Sequence, residues 1–373
     1  PLARVLPAAA LAGLAAAYVV LLATRFAQII RWENADSDVA SAFTLTEAIA
    51  HGHTGGVVLS TQGSWVPLLW GLLTRGLAFH RLVWELSPAA LWLGAAALVG
   101  WCVWRVAGRK AAGIAVVVIV AASPAVLITF TSAFFHNTTI PGAALLDAYL
   151  IWLTSRERTS RALMASVVAM ALIVGALLAS DELLAVVGLV PFLGASGLAW
   201  LRRRYTRDLL SALTVTAGSI VVAEAISSIA RSLNLLTTTP GVHLTLTLER
   251  AHLVWLGRGL LRMGNGLALV PQAGARAALT LAAAIVTVAA LAAVAVVLRR
   301  AISLPPVDRR GRVLHLHVVF WGLALVCAAV AYVVTDIAVE PSDRYIMIAV
   351  PAVAAIVPLL ARTRAGLAAV AAA

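Results

Sequence analysis

The chain has 373 residues, of which 62% are hydrophobic and only 12% carry a charge, against roughly 25% charged residues in soluble domains. Apolar stretches of about 20 residues recur along its whole length, which excludes a soluble globular or a disordered protein. The net charge of +12 comes from short arginine clusters between apolar runs, as the positive-inside rule describes, so we expect membrane lipids and not nucleic acid as partners.

This composition predicts an all-α polytopic membrane protein whose single transmembrane domain covers residues 1–373. The first predicted span is 2–24, which is too long for the core of a signal peptide. With Arg4 in the cytoplasm, the following loop at 25–85 emerges outside the cell. Because the chain begins at Pro1 and not at Met, we expect its start to be trimmed.

The first outer loop concentrates acids and histidines in a chain that has only 16 Asp and Glu residues. Ionisable groups directly after a membrane-length segment indicate a functional site, so Asp36 and Asp38 are candidate catalytic residues. Nearby candidates for substrate binding are Glu33, His51 and His53. Two alternatives stay open: the aspartates could cap a helix or be solvated loop acids, and the histidines could be turn residues beside glycines.

Two segments of this loop, 39–50 and 65–79, are predicted to lie as helices in the membrane interface, joined by a Gly-rich turn. After the loop, apolar spans alternate across the bilayer, and each predicted inner loop is rich in arginine. These spans are 86–104, 111–130, 141–154, 163–179, 183–201, 209–230, 277–298, 313–335 and 345–360. With 2–24 they make about ten. Residues 366–373 resemble the truncated start of another, so further spans or a domain beyond 373 stay open.

Polar residues at the outer tips of the spans are further candidates for substrate binding. They are His136, Asn137, Asp181 and Glu182. The first two could also be ordinary loop residues, and the two acids could cap the sixth span. Asp147 lies near the middle of a span, where an acid is either a site or a helix–helix hydrogen bond.

A second long outer loop is predicted at 231–276 and carries His243. Within it, Arg250, Arg258 and Arg262 recur at spacings of eight and four, near one face of a helix. A basic helix on the outer surface could anchor to lipid headgroups or hold an anionic lipid substrate. We therefore include His243, Arg250 and Arg258 among the candidates for substrate binding.

Several kinds of chemistry lack a signature in the sequence. There is no Gly-rich phosphate loop, no HExxH, no GxSxG and no Cys/His metal spacing. Cys102 and Cys327 each lie inside an apolar run, which predicts buried thiols and no disulfide framework. Because the predicted outer tips carry the acids and the inner loops are short and basic, we expect a polar cavity that faces outward.

Two short motifs carry a resemblance to a known family. Asp36-Ser37-Asp38, followed by an amphipathic run to His51-Gly52, resembles the opening motif of the GT-C superfamily of membrane glycosyltransferases. Near the end, the Asp343-Arg344-Tyr345 string and the apolar residues up to Pro351 look like the Arg-Tyr-apolar-Pro segment of polyprenyl-phosphate-sugar-using members. The order of spans and outer loops is also similar. The resemblance implies a GT-C-like fold of about 10–11 transmembrane helices with interfacial helices in the first outer loop.

The same resemblance implies a bacterial hexosyl- or pentosyltransferase on the outer face of the cell membrane. It would move a sugar from a polyprenyl-phosphate donor to an envelope glycan, glycolipid or protein acceptor. Asp36 or Asp38 would act as the base in an inverting attack. Arg344, helped by Arg250, Arg258 or His243, would grip the phosphate, and Tyr345 would contact the substrate. No cofactor is implied with certainty, and a divalent metal stays open.

The sequence departs from that family at Asp181-Glu182, where many members have a basic or aromatic pair, and no large outer C-terminal domain is seen. Arg344 could instead pair with Asp343 or extend to the interface. A multi-pass transporter or lipid flippase is the alternative class, which needs ionisable groups at several depths. Only Asp147 and Glu224 are predicted to lie deep. In a non-catalytic scaffold, the third possibility, the first-loop aspartates would tolerate Asn.

Overall fold

The computed structural model describes residues 51, 73, 80–120, 122, 126, 136–155, 159–203, 205–232, 249–264, 275–303, 308–335 and 345–362. Within these residues the regular secondary structure is helical, with single bridge residues at Asp181 and Thr335. The predicted all-α class is therefore confirmed. The two interfacial helices predicted in the first outer loop lie outside the described residues.

Most of the described helices extend the predicted spans by a few residues at one or both ends. The helices are α1 (His80–Ala107), α2 (Arg109–Val120), α3 (Thr139–Ser155), α4 (Ser160–Ser180), α5 (Val190–Arg203), α6 (Thr206–Ser232), α7 (Arg250–Gly264), α8 (Ala275–Ser303), α9 (Arg309–Val333) and α10 (Ala349–Ile356). A π-helical segment, Ala185–Leu189, leads into α5, and a 3₁₀ segment, Val357–Arg362, follows α10.

Six of the described helical segments are long and apolar enough to cross a membrane. They are Ser87–Ala107, Ser160–Ser180, Ala185–Arg202, Thr206–Ser232, Leu281–Ser303 and Arg309–Val333. Membrane-length apolar helices in this number indicate a multi-pass membrane protein. The GT-C-like arrangement of about ten or eleven spans stays a prediction.

The last predicted span, 345–360, is shorter and more broken in the structure. Tyr345 and Ile346 form a 3₁₀ turn, and the α-helix begins only at Ala349. It changes to 3₁₀ geometry after Ile356. The cause is Pro358, whose nitrogen has no hydrogen to donate to the preceding turn of an α-helix.

Small residues let neighbouring helices approach closely, as is usual in membrane bundles. A Cβ added at Gly175 of α4 would lie 2.6 Å from Val222 Cβ and 2.8 Å from the Ser219 carbonyl oxygen of α6. One added at Gly218 would lie 2.8 Å from Ala171 Cβ. The α4–α6 pair is thus packed backbone against backbone.

The helices differ in how much surface they bury. Helix α9 lies in the centre, with Phe320 and Trp321 fully buried. Helix α8 instead exposes Leu281, Ile285 and Val288, each more than half accessible. Exposed apolar side chains over a membrane-length helix are what a lipid-facing surface requires.

One end of the bundle is held by arginines, and we call it the arginine end. At the start of α9, Arg309 Nε donates to the Thr154 carbonyl oxygen at 2.9 Å. Arg312 pairs with Asp208 at the start of α6 and stacks 3.9 Å from the centre of the Tyr205 ring. The predicted basic inner loops meet here. The start of α3 and the end of α4 lie at the opposite end.

Candidate functional site

His136 occupies the turn before α3, at the end of the bundle opposite the arginines. Its backbone has a φ of 55°, in the left-handed region that non-glycine residues seldom adopt. The ring is 3% exposed, and its Nδ1 lies 2.8 Å from Asp181 Oδ1. Two predicted outer tips, 45 residues apart in the chain, thus meet in a buried pair.

Asp181 fixes the position of this imidazole. The residue caps the end of α4 and is fully buried. Besides the His136 contact, Oδ1 accepts from the Leu183 N–H at 3.1 Å, and Oδ2 accepts from the Thr139 hydroxyl. A carboxylate with three donors can act only as an acceptor, so the proton lies on His136 Nδ1. The sequence left open whether Asp181 is a cap or a site residue, and it is a cap that also orients the histidine.

Tyr345 closes the other side of the histidine. Its ring lies 5.0 Å from the His136 ring, tilted by 58°, and the residue is 7% exposed. Tyr345 opens the last helical segment, so a third predicted outer region reaches the same point. Three of the candidates for substrate binding, from separate parts of the chain, are brought together here.

These residues surround a small, partly open cavity. Its volume of about 10 Å³ is room for about one water-sized group. It is lined by His136, Thr139, Ile140, Leu183, Val187, Tyr345, Met347 and Ile348. His136 Nε2 is buried and has no hydrogen-bond partner within the described part of the chain. An unpaired polar atom in such surroundings costs about 1–3 kcal/mol, so the site is built to receive a ligand or a water.

The remaining described candidates lie around this cavity or away from it. Glu182 is exposed, next to Asp181, and Asn137 is half-buried in the turn that holds His136. His51 is exposed. None of these three lines the cavity. Glu33, Asp36, Asp38, His53, His243 and Arg344 lie outside the described residues.

The basic segment of the second outer loop is helical, as predicted, and forms α7. Arg250 and Arg258 are exposed on it and do not line the cavity. His252 attaches the helix to the bundle, because its ring Nδ1 lies 2.7 Å from the Val333 carbonyl oxygen at the end of α9. The exposed arginines therefore belong to the same end of the bundle as His136.

A second buried polar cluster lies in the middle of the bundle. Asp147 Oδ2 accepts from His317 Nδ1 at 2.7 Å and from Trp321 Nε1 at 2.8 Å. His317 Nε2 donates to the Ala355 carbonyl oxygen at 3.2 Å. Asp147 and His317 are fully buried. The sequence left Asp147 between a site and a helix–helix hydrogen bond, and the structure shows the hydrogen bond.

The two cysteines are free thiols, Cys102 fully buried and Cys327 half-buried. Among the residues that the structure describes, no three His, Cys, Asp or Glu side chains form a group that could hold a metal. Nothing in the sequence marks Thr139 as a partner of Asp181. The sequence does place two histidines, His315 and His317, in one apolar span, but it does not indicate that His317 pairs with Asp147.

Comparison of the chain with protein-family models, with curated proteins and with solved structures found no match. What the molecule does must therefore follow from the residues around this cavity and from the sequence motifs.

Proposed function

We propose that the protein is a membrane glycosyltransferase that moves a sugar from a polyprenyl-phosphate donor to an acceptor outside the cytoplasm. The observation that supports this most is that His136, held by Asp181, meets Tyr345 at a small, partly open cavity, and that its Nε2 has no partner within the described residues. Separate predicted outer regions converge there, as an active site assembled from loops at one end of a helical bundle requires.

The distribution of charge supports an outward orientation of the proposed site. Arg309 and Arg312 hold the opposite end of the bundle, and the positive-inside rule assigns such an end to the cytoplasm. On that assignment the cavity faces outward, where a lipid-linked donor and an envelope glycan, glycolipid or protein acceptor would meet.

In the proposed reaction, Asp36 or Asp38 removes the proton from an acceptor hydroxyl. The hydroxyl oxygen attacks the anomeric carbon, and the bond from that carbon to the phosphate oxygen breaks on the opposite face. The electron pair of that bond leaves with the polyprenyl phosphate, and the carboxylate holds the proton. Arg344, which precedes Tyr345 in the chain, is proposed to bind the departing phosphate.

The exposed features of the described helices suit a lipid-linked substrate. Leu281, Ile285 and Val288 give α8 a lipid-facing surface. Arg250 and Arg258 of α7 add positive charge at the end of the bundle that carries the cavity. Anionic phosphates at the membrane surface are attracted to such charges.

A transporter or lipid flippase is the alternative, and it needs ionisable groups along a route across the membrane. Within the described residues, Asp147 Oδ2 is instead bonded to His317 and Trp321, in the middle of the packed bundle. Glu224 is exposed on α6 and pairs with Arg231 at 2.6 Å. These arrangements favour the enzyme.

Sugar transfer tests the proposal directly. The purified chain in lipid nanodiscs is given radiolabelled polyprenyl-phosphate hexoses and pentoses with an envelope glycolipid extract, and label in the acceptor is measured. We expect transfer, and a fall of about 10²–10⁴-fold in either Asp36→Asn or Asp38→Asn, since that is what a general base contributes. Full activity in both variants and in the double variant would remove the catalytic assignment. Movement of an unaltered lipid across the bilayer, without transfer, would support the alternative.

Labelling tests the sidedness. In a background with Cys102→Ala and Cys327→Ala, a Thr54→Cys variant should react with a membrane-impermeant maleimide added to whole cells. A cysteine at Arg203, on the arginine end, is the matched control and should react only after the membrane is opened. The reverse pattern would overturn the proposed topology.

A further inference from the structure

We propose that His136 Nε2 donates a hydrogen bond to a phosphoryl oxygen of the polyprenyl-phosphate carrier. The identity of the carrier rests on the proposed function. The contact itself rests on the buried Nε2, which has no partner within the described residues, and on the cavity that His136 lines.

The size of the cavity selects a single oxygen atom over a sugar ring. A volume of about 10 Å³ admits one water-sized group. A phosphoryl oxygen projecting from its phosphorus is such a group, whereas a pyranose ring is several times larger. The oxygen would enter while the rest of the carrier stays outside.

The apolar walls of the cavity favour a ligand that has one polar group and is otherwise hydrocarbon. Ile140, Leu183, Val187 and Met347 are apolar lining residues. A sugar hydroxyl cluster placed against them would lose hydrogen bonds to water and regain few. A phosphate on an isoprenoid chain has its charge at one end and hydrocarbon beyond it.

The hydrogen bond at Nδ1 determines what Nε2 can offer. Because Asp181 accepts the Nδ1 proton, the ring can accept at Nε2 when neutral and donate there when protonated. A sugar-bearing phosphodiester has no proton to give, so it is bound by the protonated ring. The Asp181 carboxylate, with its own donors at Leu183 and Thr139, stabilises that positive charge. Tyr345 presents its ring at 5.0 Å, within the range of a cation–π contact.

The left-handed backbone at His136 supplies a matched pair of variants. Asn adopts a positive φ at little cost, and its side-chain amide takes the place of Nδ1 against Asp181 without an atom at the Nε2 position. Gln is longer and carries an N–H donor towards the Nε2 position. His136→Asn therefore removes the proposed ligand contact and keeps the turn, whereas His136→Gln keeps a neutral donor.

Binding is measured with farnesyl phosphate, a short isoprenyl phosphate, on the full chain in phosphatidylcholine nanodiscs by calorimetry. We expect His136→Asn to weaken binding about 10- to 100-fold, the effect of one hydrogen bond to a charged group. His136→Gln should bind with intermediate affinity, and farnesol should bind no better to wild type than to the variants. His315→Asn, which removes a buried imidazole at the arginine end of the bundle, should leave the affinity unchanged. Wild-type affinity in a folded His136→Asn variant would overturn the proposal.

A spectroscopic measurement on the wild-type chain detects the contact directly, and a variant serves only to assign the resonance. With ¹⁵N-histidine, the Nε2 resonance that is missing from His136→Gln should shift on adding farnesyl phosphate and not on adding farnesol. The same shift with phosphatidylglycerol alone would mean that a lipid headgroup, not the carrier, occupies the cavity, and no shift with any phosphate would refute the contact.

These outcomes separate the two proposals. Sugar transfer with unchanged carrier affinity in His136→Asn would leave the enzyme standing and remove this contact. Carrier binding that depends on His136, without sugar transfer, would do the reverse.

Discussion

The chain contains two buried histidine–aspartate pairs with nearly the same geometry and different surroundings. The Nδ1-to-carboxylate distance is 2.8 Å in the His136–Asp181 pair and 2.7 Å in the His317–Asp147 pair. In the second pair, Nε2 bonds to the Ala355 carbonyl oxygen. In the first pair, Nε2 has no partner within the described residues, and His136 lines a cavity.

The comparison shows that the pair by itself does not identify a site. A buried ionisable residue in a membrane helix is by default a functional candidate, and Asp147 met that description as well as Asp181 did. The second nitrogen of the histidine separates the two cases. His317 uses both ring nitrogens to join α9 to α3 and α10, whereas Nε2 of His136, unpaired within the described residues, is the atom that we propose binds a ligand.

The largest expected effect comes from breaking the central pair. Asp147→Ala removes the acceptor for both His317 and Trp321 in the core, so it should lower the free energy of unfolding by about 3–5 kcal/mol. Thermal unfolding in detergent, followed by tryptophan fluorescence, measures this. Asp147→Asn keeps an acceptor oxygen and should lose much less. Unchanged stability in Asp147→Ala would mean that the pair does not join the helices.

At the His136–Asp181 pair we expect a smaller effect on stability and a larger effect on binding. Asp181→Asn keeps the shape and an acceptor for His136, but it removes the charge that stabilises a protonated ring. Farnesyl phosphate affinity should fall about tenfold, because hydrogen bonds from ionised groups are roughly twice as strong as neutral ones. The melting temperature should change little. Asp147→Asn is the matched control, the same chemical change at the closed pair, and its affinity should equal that of wild type.

The smallest expected effect concerns the hydrogen bond from Thr139 to Asp181, which supports the His136–Asp181 pair. Thr139→Val removes one of the donors to Asp181 and keeps the shape of the side chain. The free energy of unfolding should fall by about 1 kcal/mol, the net value of one hydrogen bond, and carrier affinity should fall less than in Asp181→Asn. An affinity loss as large as that of Asp181→Asn would show that the hydroxyl, and not the charge, orients His136.

The sequence predicted that the candidate residues at the span tips would lie at one end of the bundle. Alternation of spans places the tip before α3 and the tip after α4 on one side, and arginines mark the other side. His136, Asp181 and Tyr345 were therefore expected on a common face. That His136 would pair with Asp181 could not be foreseen, because the pairing depends on how each helix is rotated about its axis.

Details that arise from packing were missed for the same reason. The partner of Asp147 is 170 residues away in the chain, beyond any local pattern. The π-helical segment at Ala185–Leu189 has no composition that sets it apart from the apolar run around it. The break near Pro358, by contrast, does have a sequence signal, because a proline nitrogen has no hydrogen to donate. The predicted continuous span at 345–360 did not include that break.

The left-handed backbone at position 136 bears on how this protein could diverge. Asn, Asp and Gly reach a φ of 55° at little cost, and none of them carries a ring nitrogen. One of these small residues can therefore replace the imidazole and keep the turn intact. The turn does not itself require histidine, so an exchange at this position separates the backbone requirement from the proposed ligand contact.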